Sequence, residues 1–262
     1  MSTQVVTIDT DRPGVPVSRL VKVELRKMFD TRSGFWLMMS IAIVAALATI
    51  GCILFVPNEN LEYSVFGAAV GFPMAILLPV IAILSVTGEW SQRTGLITFT
   101  LAPHRGQVIL AKALAAIIVA VVSMLLAFAI GALGNVLGSM LNGVDPVWDM
   151  SVGDLLLIIG GNVLGLLIGF MLGVLIRNTP GAIVAYFVYS FVLPTIFGIL
   201  AELVDWFKDI HLWIDFNAAQ TPLFEGGFDN GEQYAQLGVS GVIWLVIPLA
   251  IGLWAVLRSE VK

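Results

Sequence analysis

Cysteine is nearly absent from this 262-residue chain, and charge is scarce. The single Cys52 has no partner for an internal disulfide, so no covalent staple organises the fold and the redox compartment stays undetermined. Charged residues make up 12% of the sequence, against roughly 25% in soluble domains, and 58% of it is hydrophobic. With a mean hydropathy of +0.97, the chain reads as an integral membrane protein. Alternating polar and apolar positions are lacking as well, which excludes the strands of a membrane barrel.

Other absences narrow the function. No ionisable residue lies at the centre of any long apolar run, and Asp154 and Glu202 fall near ends. Ion-coupled transport and intramembrane catalysis usually depend on such mid-membrane groups, so an ion-coupled secondary transporter and an intramembrane enzyme are the disfavoured alternatives. His104 and His211 are far apart and cannot form a metal site together on the topology below. The phosphate-loop pattern GxxxxGK[ST] is missing, and the glycine-rich string 160–169 lacks its lysine. Active transport by this chain would need energy supplied by another.

Six continuous apolar runs, near 35–56, 64–86, 108–130, 152–176, 181–204 and 236–257, match the roughly 20 helical residues that cross a bilayer. The fourth and fifth are parted only by 177–180, a tight hairpin in which Thr179 is expected to cap and Pro180 to take the first helical position. Lysine and arginine set the orientation. Arg12, Arg19, Lys22, Arg26, Lys27 and Arg32 precede the first run; Arg93, Arg105 and Lys112 lie between the second and third; Arg177, Arg258 and Lys262 complete one side, and only Lys208 falls on the other. Both termini are expected in the cytoplasm, and the N-terminal tail lacks the apolar core of a cleaved signal peptide. The opposite side is rich in acids, from Glu59 to Glu232, which read most simply as solvated loops.

Before the first span, Val17, Leu20, Val21, Met28 and Phe29 recur at helical intervals among basic residues, the pattern of an interfacial helix on an anionic leaflet. Gly161, Gly165, Gly169 and Gly173 stand at four-residue spacing, placing small residues on one helical face for close packing, within the subunit rather than at a dimer seam. Gly131, Gly134 and Gly138 form a second small-residue series. Pro73, Pro79, Pro194 and Pro248 lie inside spans, so the second, fifth and sixth helices are expected to kink.

The segment 88–112 is a charged connector between two strongly apolar spans. Trp90, Arg93, Thr94, Ile97 and Leu101 recur in steps of three and four, predicting a short amphipathic helix able to dock in a groove or rest at the interface. Pro103 breaks it, and a new helix starts near His104, with Arg105 at its polar start and Lys112 about two turns on, near headgroup depth. Glu89 closes the second span, where a lone carboxylate can pair with a cation or cap a helix. A plain charged loop is the competing account.

At these residues the chain resembles the membrane subunits of type-2 ABC exporters, particularly permeases of actinobacterial type. The likeness rests on the basic helix before the first span, Glu89 within GEW, the QRTG stretch, the APHRG turn and Lys112 entering the third span. Thr94-Gly95 departs from the Gly-Thr order of many members, which leaves the role of that pair less secure. The resemblance implies an all-α integral membrane protein of six transmembrane helices, with a cytoplasmic tail and amphipathic interfacial helix (1–34), a transmembrane domain (35–257) and a short cytoplasmic tail (258–262). It implies a dimer of membrane subunits in the bacterial cell membrane, served by two copies of a separate ATPase that binds ATP and magnesium, with no cofactor or catalytic residue on this chain and no nucleic acid. The ATPase-coupling residues would be Glu89, Trp90, Arg93, Thr94, Gly95, Ile97, Leu101, Pro103, His104, Arg105 and Lys112. The exterior segment 205–235 would supply an outer gate from Trp206, Phe207, Trp213 and Phe216; as aromatics they fit a belt-anchored loop equally well. Nothing in the generic Leu, Ile, Val, Gly and Phe of the spans selects a substrate.

Overall fold

The computed structural model describes residues 15–30, 32–91 and 105–258, and those residues are predominantly helical, without strands. Eight helices carry the fold: α1 (Val17–Asp30), α2 (Arg32–Phe55), α3 (Tyr63–Ser91), α4 (Arg105–Asn142), α5 (Val152–Ile176), α6 (Thr179–Leu203), α7 (Asp205–Ile214) and α8 (Gly231–Arg258). Six of them, all but α1 and α7, are long and apolar enough to cross a membrane.

The centre of the bundle is α3, which packs against α2, α4, α5 and α6. Its inner face, with Val70, Met74, Leu78, Ile81 and Val86, meets Ala116, Ala120, Met124 and Phe128 of α4 and Leu166, Phe170 and Val174 of α5 in one continuous core. Half of the α5 span is buried inside the protein, but only 11% of the α6 span is. The apolar residues that α6 leaves uncovered, among them Val184, Phe191, Ile196 and Ile199, therefore meet lipid or another membrane chain.

The third span is longer than its hydropathy predicts: α4 continues from the expected end near 130 to Asn142. Gly131, Gly134 and Gly138 make this possible. Their bare faces seat the fully buried ring of Phe66, and Gly134 also lies under Thr49, so packing replaces what the glycines lose in helix propensity. The helix stops at Gly143, whose φ of +68° suits glycine, with the Val144 N–H returning to the Ser139 carbonyl at 3.0 Å. Beyond it, the 143–151 loop is pinned to the start of α3 by Tyr63 N–H to Val147 O (3.1 Å) and Ser64 N–H to Asp149 Oδ1 (2.9 Å), and back to α4 by Asn135 Nδ2 to Val147 O (2.9 Å).

At the α5–α6 hairpin the cap falls one residue earlier than expected. The Asn178 side chain accepts the Gly181 N–H at 2.9 Å, which places Thr179 and Pro180 inside the first turn of α6. Freed from capping, the Thr179 hydroxyl pairs with that of Thr87 on α3 at 2.7 Å. The in-span prolines act differently from one another. Pro73 and Pro79 are carried within a continuous α3, whereas α6 and α8 each widen into a π-helical segment, Val188–Val192 and Val242–Val246, immediately before Pro194 and Pro248. Proline removes an N–H and its ring crowds the carbonyl one turn back, and one inserted residue relieves both.

Gly169 shows how tightly the centre is built: a Cβ there would lie 2.5 Å from the Pro79 carbonyl oxygen and 2.8 Å from its Cα. Gly160, by contrast, has nothing within 4 Å of that position. Gly169→Val is expected to destabilise the protein by about 1–3 kcal/mol through overpacking. Gly160→Ala should leave stability unchanged or slightly raised. Thermal unfolding in detergent checks both, and equal midpoints for the two variants would contradict this packing.

Candidate functional site

The site is assembled where α3 ends, α4 begins and α1 lies across them. On α1, Leu20, Glu24 and Met28 follow one another at four-residue intervals and face inward, so a carboxylate is placed in the middle of an apolar stripe. This stripe packs on α2 and α4, while Val23 and Phe29 remain exposed on the other side. A carboxylate in such a position demands a cation.

Lys112, one turn into the buried part of α4, provides it. Its Nζ donates to Glu24 Oε2 at 2.6 Å and to the Ser85 carbonyl at 3.2 Å, and pairs with the charge of Glu89, whose Oε1 lies 3.1 Å away. Lys27 closes the figure from α1, 2.7 Å from Glu24 Oε1 and 3.4 Å from Glu89 Oε1. The result is a neutral ring of two acids and two bases. Glu24, Glu89 and Lys112 have side chains 5–8% exposed, and Lys27 reaches the surface at 46%. Partial burial pulls the Lys27 pKa down, but the hydrogen bonds and charges of Glu24 and Glu89 outweigh it, and the ammonium titrates above the ordinary 10.5.

The ring collects both ends of the 88–112 connector. Glu89 is the last charged residue of α3 before the connector leaves, and Lys112 lies about two turns into α4 after it returns. Trp90 is partly buried against the main core. Arg105 is the first residue of α4. Arg93, Thr94, Gly95, Ile97, Leu101, Pro103 and His104 lie outside the described residues, as does the amphipathic helix expected there. Sequence reasoning placed Lys27 only among headgroup-facing bases and passed over Glu24. The available signal was the position of Glu24 on the apolar face of α1, where a solvated acid would not be expected.

The α5 glycines do different things along one face. Gly173 lies on Val86 and Ile83 of α3, Gly169 on the backbone at Pro79, and Gly161 under the Phe224 ring, while Gly165 has no neighbour within 4 Å of a Cβ. Four-residue spacing therefore builds two contacts to α3, one to the segment after α7, and one opening.

At the far end of the bundle, the four aromatic residues of 205–235 separate by environment. Phe207 and Phe216 are buried, at 8% and 2% exposure, Trp213 is half-buried, and Trp206 is 66% exposed. Asp215 caps the short turn Phe216–Ala219 by accepting from the N–H groups of Asn217 (2.9 Å) and Ala218 (3.1 Å). The segment is then tied inward by Trp244 Nε1 to Ile214 O at 2.7 Å and Asn217 Nδ2 to Tyr189 O at 3.3 Å. It is a folded plug on α6 and α8, beyond the loosely anchored loop that its composition suggests.

A family model described as "ABC-2 family transporter protein" matches residues 20–204. That stretch runs from α1 to the end of α6, so it contains the whole charge ring, the connector and the α5 glycines, and it stops short of α7. No curated protein matches the chain significantly.

Removing Lys112 strands two buried carboxylates on one half-exposed lysine. Lys112→Met is expected to lower stability by about 3–5 kcal/mol, the usual cost of breaking a buried pair from one side. Adding Glu24→Gln should recover part of that loss, giving a coupling of about 0.5–3 kcal/mol in a double-mutant cycle followed by thermal unfolding; strictly additive losses would disprove the contact. For Lys27 the raised pKa means a stabilisation that is complete below 10.5 and disappears as pH climbs through the folded value, so unfolding midpoints should show no loss from this group through the neutral range and a fall in strongly alkaline buffer.

Proposed function

The chain belongs to the ABC-2 transporter family, and on that premise we propose that it is the permease subunit of an ATP-driven exporter, moved by an ATPase on a separate chain. The observation that carries the reading is the buried ring of Glu24, Lys27, Glu89 and Lys112, which clamps both ends of the connector and the N-terminal helix into one unit. A loop whose only task was to join two spans would have no use for buried charge at both of its roots.

In this proposal both termini and the connector are cytoplasmic, as the distribution of lysine and arginine favours. Residues 89–101, with Arg93, Thr94, Gly95, Ile97 and Leu101, form the coupling helix seated in a cleft of the ATPase, and 103–112 is its hinge into α4. Two ATPase copies bind ATP and magnesium and close on one another. Their closure presses on the connector. Because Glu89 and Lys112 are held by the same partners, the push is not absorbed by separation of α3 from α4; it passes to α3, α4 and α1 together. Low exposure is what gives the clamp its stiffness, since a buried ion pair cannot be replaced cheaply by water.

A second membrane subunit, the same or homologous, would complete the pathway, and the largely uncovered α6 offers it an apolar face. Basic Arg19, Lys22 and Arg26 on the outer side of α1 favour anionic lipid at the inner leaflet of a bacterial cell membrane. The plug at 205–235 acts as the outer gate in this scheme, with buried Phe207 and Phe216 as its fixed part and Trp206 and Trp213 nearer the outer interface.

Two variants separate docking from force transfer. Deleting 93–101 should abolish co-purification with its ATPase partner, whereas Lys112→Met should keep the partner but lose at least about tenfold of substrate transport per ATP hydrolysed, a change equivalent to roughly 1.4 kcal/mol of coupling. Retention of the ATPase by the deletion variant, measured by affinity pull-down from detergent, would sink the proposal.

A further inference from the structure

The face of α1 opposite Glu24 is basic. Arg19, Lys22 and Arg26 follow one another at steps of three and four and are all exposed, so three positive charges share one side of the helix. The ring does not use them: Glu24 and Glu89 are balanced by Lys27 and Lys112, and among the described residues no acid pairs with Arg19 or Lys22. Arg26 meets Asp30 at 2.8 Å, but the two side chains are 80% and 61% exposed, and an exposed pair of this kind gives up its partner at little cost. The fold therefore carries this basic triad without drawing on its charge.

Packing sets the depth of that face. Glu24, in the middle of α1, reaches Lys112, which lies about 10 Å along α4 from its first residue, Arg105. Hence α1 lies beside the opening turns of a span, packed on α2 and α4, and does not project beyond them. At the start of α2 the exposed rings of Phe35 and Trp36 stand edge to face with centroids 6.0 Å apart, at the level aromatic side chains take at a membrane surface. Val15, Val23 and Phe29 are exposed around the triad itself. Water solvates such apolar groups poorly, whereas the headgroup boundary receives them against acyl chains and the cations against phosphate.

We propose that the outer face of α1 binds the phosphate headgroups of anionic phospholipids through Arg19, Lys22 and Arg26, and that bound lipid holds α1 in the ring. The proposal rests on the cytoplasmic placement of α1 in the permease reading, which turns this face to the leaflet rich in anionic lipid. Arginine presents a planar fork of donors to phosphate oxygens and lysine a point charge, so the triad suits phosphate. A zwitterionic headgroup brings its own cation and leaves the triad unneutralised. The inner face of the same helix carries Glu24 and Lys27, so a lipid that retains α1 also retains two of the four groups at the roots of the connector. Lipid charge thereby regulates the clamp.

The test uses the full chain in dodecyl maltoside micelles and a phosphatidylglycerol with a photoactivatable diazirine close to its glycerol, attachment sites being mapped by mass spectrometry. Labelling is expected to saturate and to map to 15–30. Unlabelled phosphatidylglycerol should compete about tenfold or more better than phosphatidylcholine, and glycerol 3-phosphate should not compete. Each basic residue near an anionic surface contributes roughly fivefold in affinity, so the combined Arg19→Gln, Lys22→Gln, Arg26→Gln variant should bind at least about tenfold more weakly, while Lys22→Arg alone keeps the parent's affinity. Phosphatidylglycerol should also raise the unfolding midpoint of the parent and leave that of the triple variant unchanged. Equal competition by phosphatidylcholine would overturn the proposal, as would undiminished labelling of a folded triple variant. Competition by glycerol 3-phosphate would assign the face to free phosphate, and loss of the ATPase from a triple variant that still labels would assign it to the ATPase; either result overturns it too. No ATPase is present during labelling, so failure here leaves co-purification through 93–101 intact, and the permease reading stands or falls separately.

Discussion

The ammonium group of Lys112 constrains one whole end of this protein. It is buried where the third span begins, and a buried cation persists only if opposite charge and hydrogen-bond acceptors surround it. Each partner comes from elsewhere in the chain: Glu24 from the helix before the first span, Glu89 and the Ser85 carbonyl from the end of the second. Lys27 then balances the charge that two carboxylates would leave in excess. None of the four can be exchanged alone without exposing the others, and for this reason α1, α3 and α4 have a fixed relation at the roots of the connector.

The ring of buried ion pairs lies at that end; the middle and far end are organised largely by backbone geometry. Glycine lets α3 and α5 approach at Pro79, and glycine again seats Phe66 on α4. Proline has the opposite effect in α6 and α8, where the helices widen ahead of Pro194 and Pro248. Tyr189 and Trp244, one from each widened segment, meet with ring centroids 5.5 Å apart. Trp244 and the Tyr189 carbonyl are also the anchors of the plug. The charged ring at one end and the distorted pair at the other are joined by α3 and α5, which under the proposed function would be the route from a pushed connector to the far face.

Much of this was legible in the chain of letters, for definite reasons. Long apolar runs can only be spans, because a bilayer offers backbone groups no partner outside a helix or closed barrel. Thus six helices were expected, and six are long and apolar enough to cross. Boundaries fared less well where packing decides them: α4 continues through Gly134 and Gly138 because Phe66 fills the space they leave, and the hairpin cap belongs to Asn178 because Thr179 finds Thr87 instead. At the site, Glu89 and Lys112 stood out as isolated charges beside apolar spans. Glu24 did not, since a single acid among five nearby bases reads as an ordinary surface pair until the helix is seen to turn it inward.

Sequence alone determined the class of this protein, its six spans, and the family to which its first 204 residues belong from Leu20 onward. These follow from composition and local order, and they do not depend on which helix lies beside which. Tertiary structure alone decided that residues 24, 27, 89 and 112 form one ring, and that Gly169 faces a backbone while Gly165 meets nothing. The reason is distance along the chain: Glu24 and Lys112 are separated by 88 positions, and an ion pair across that separation leaves no local pattern. Only the burial of one charge against another, which depends on how the helices pack, makes the two a single element.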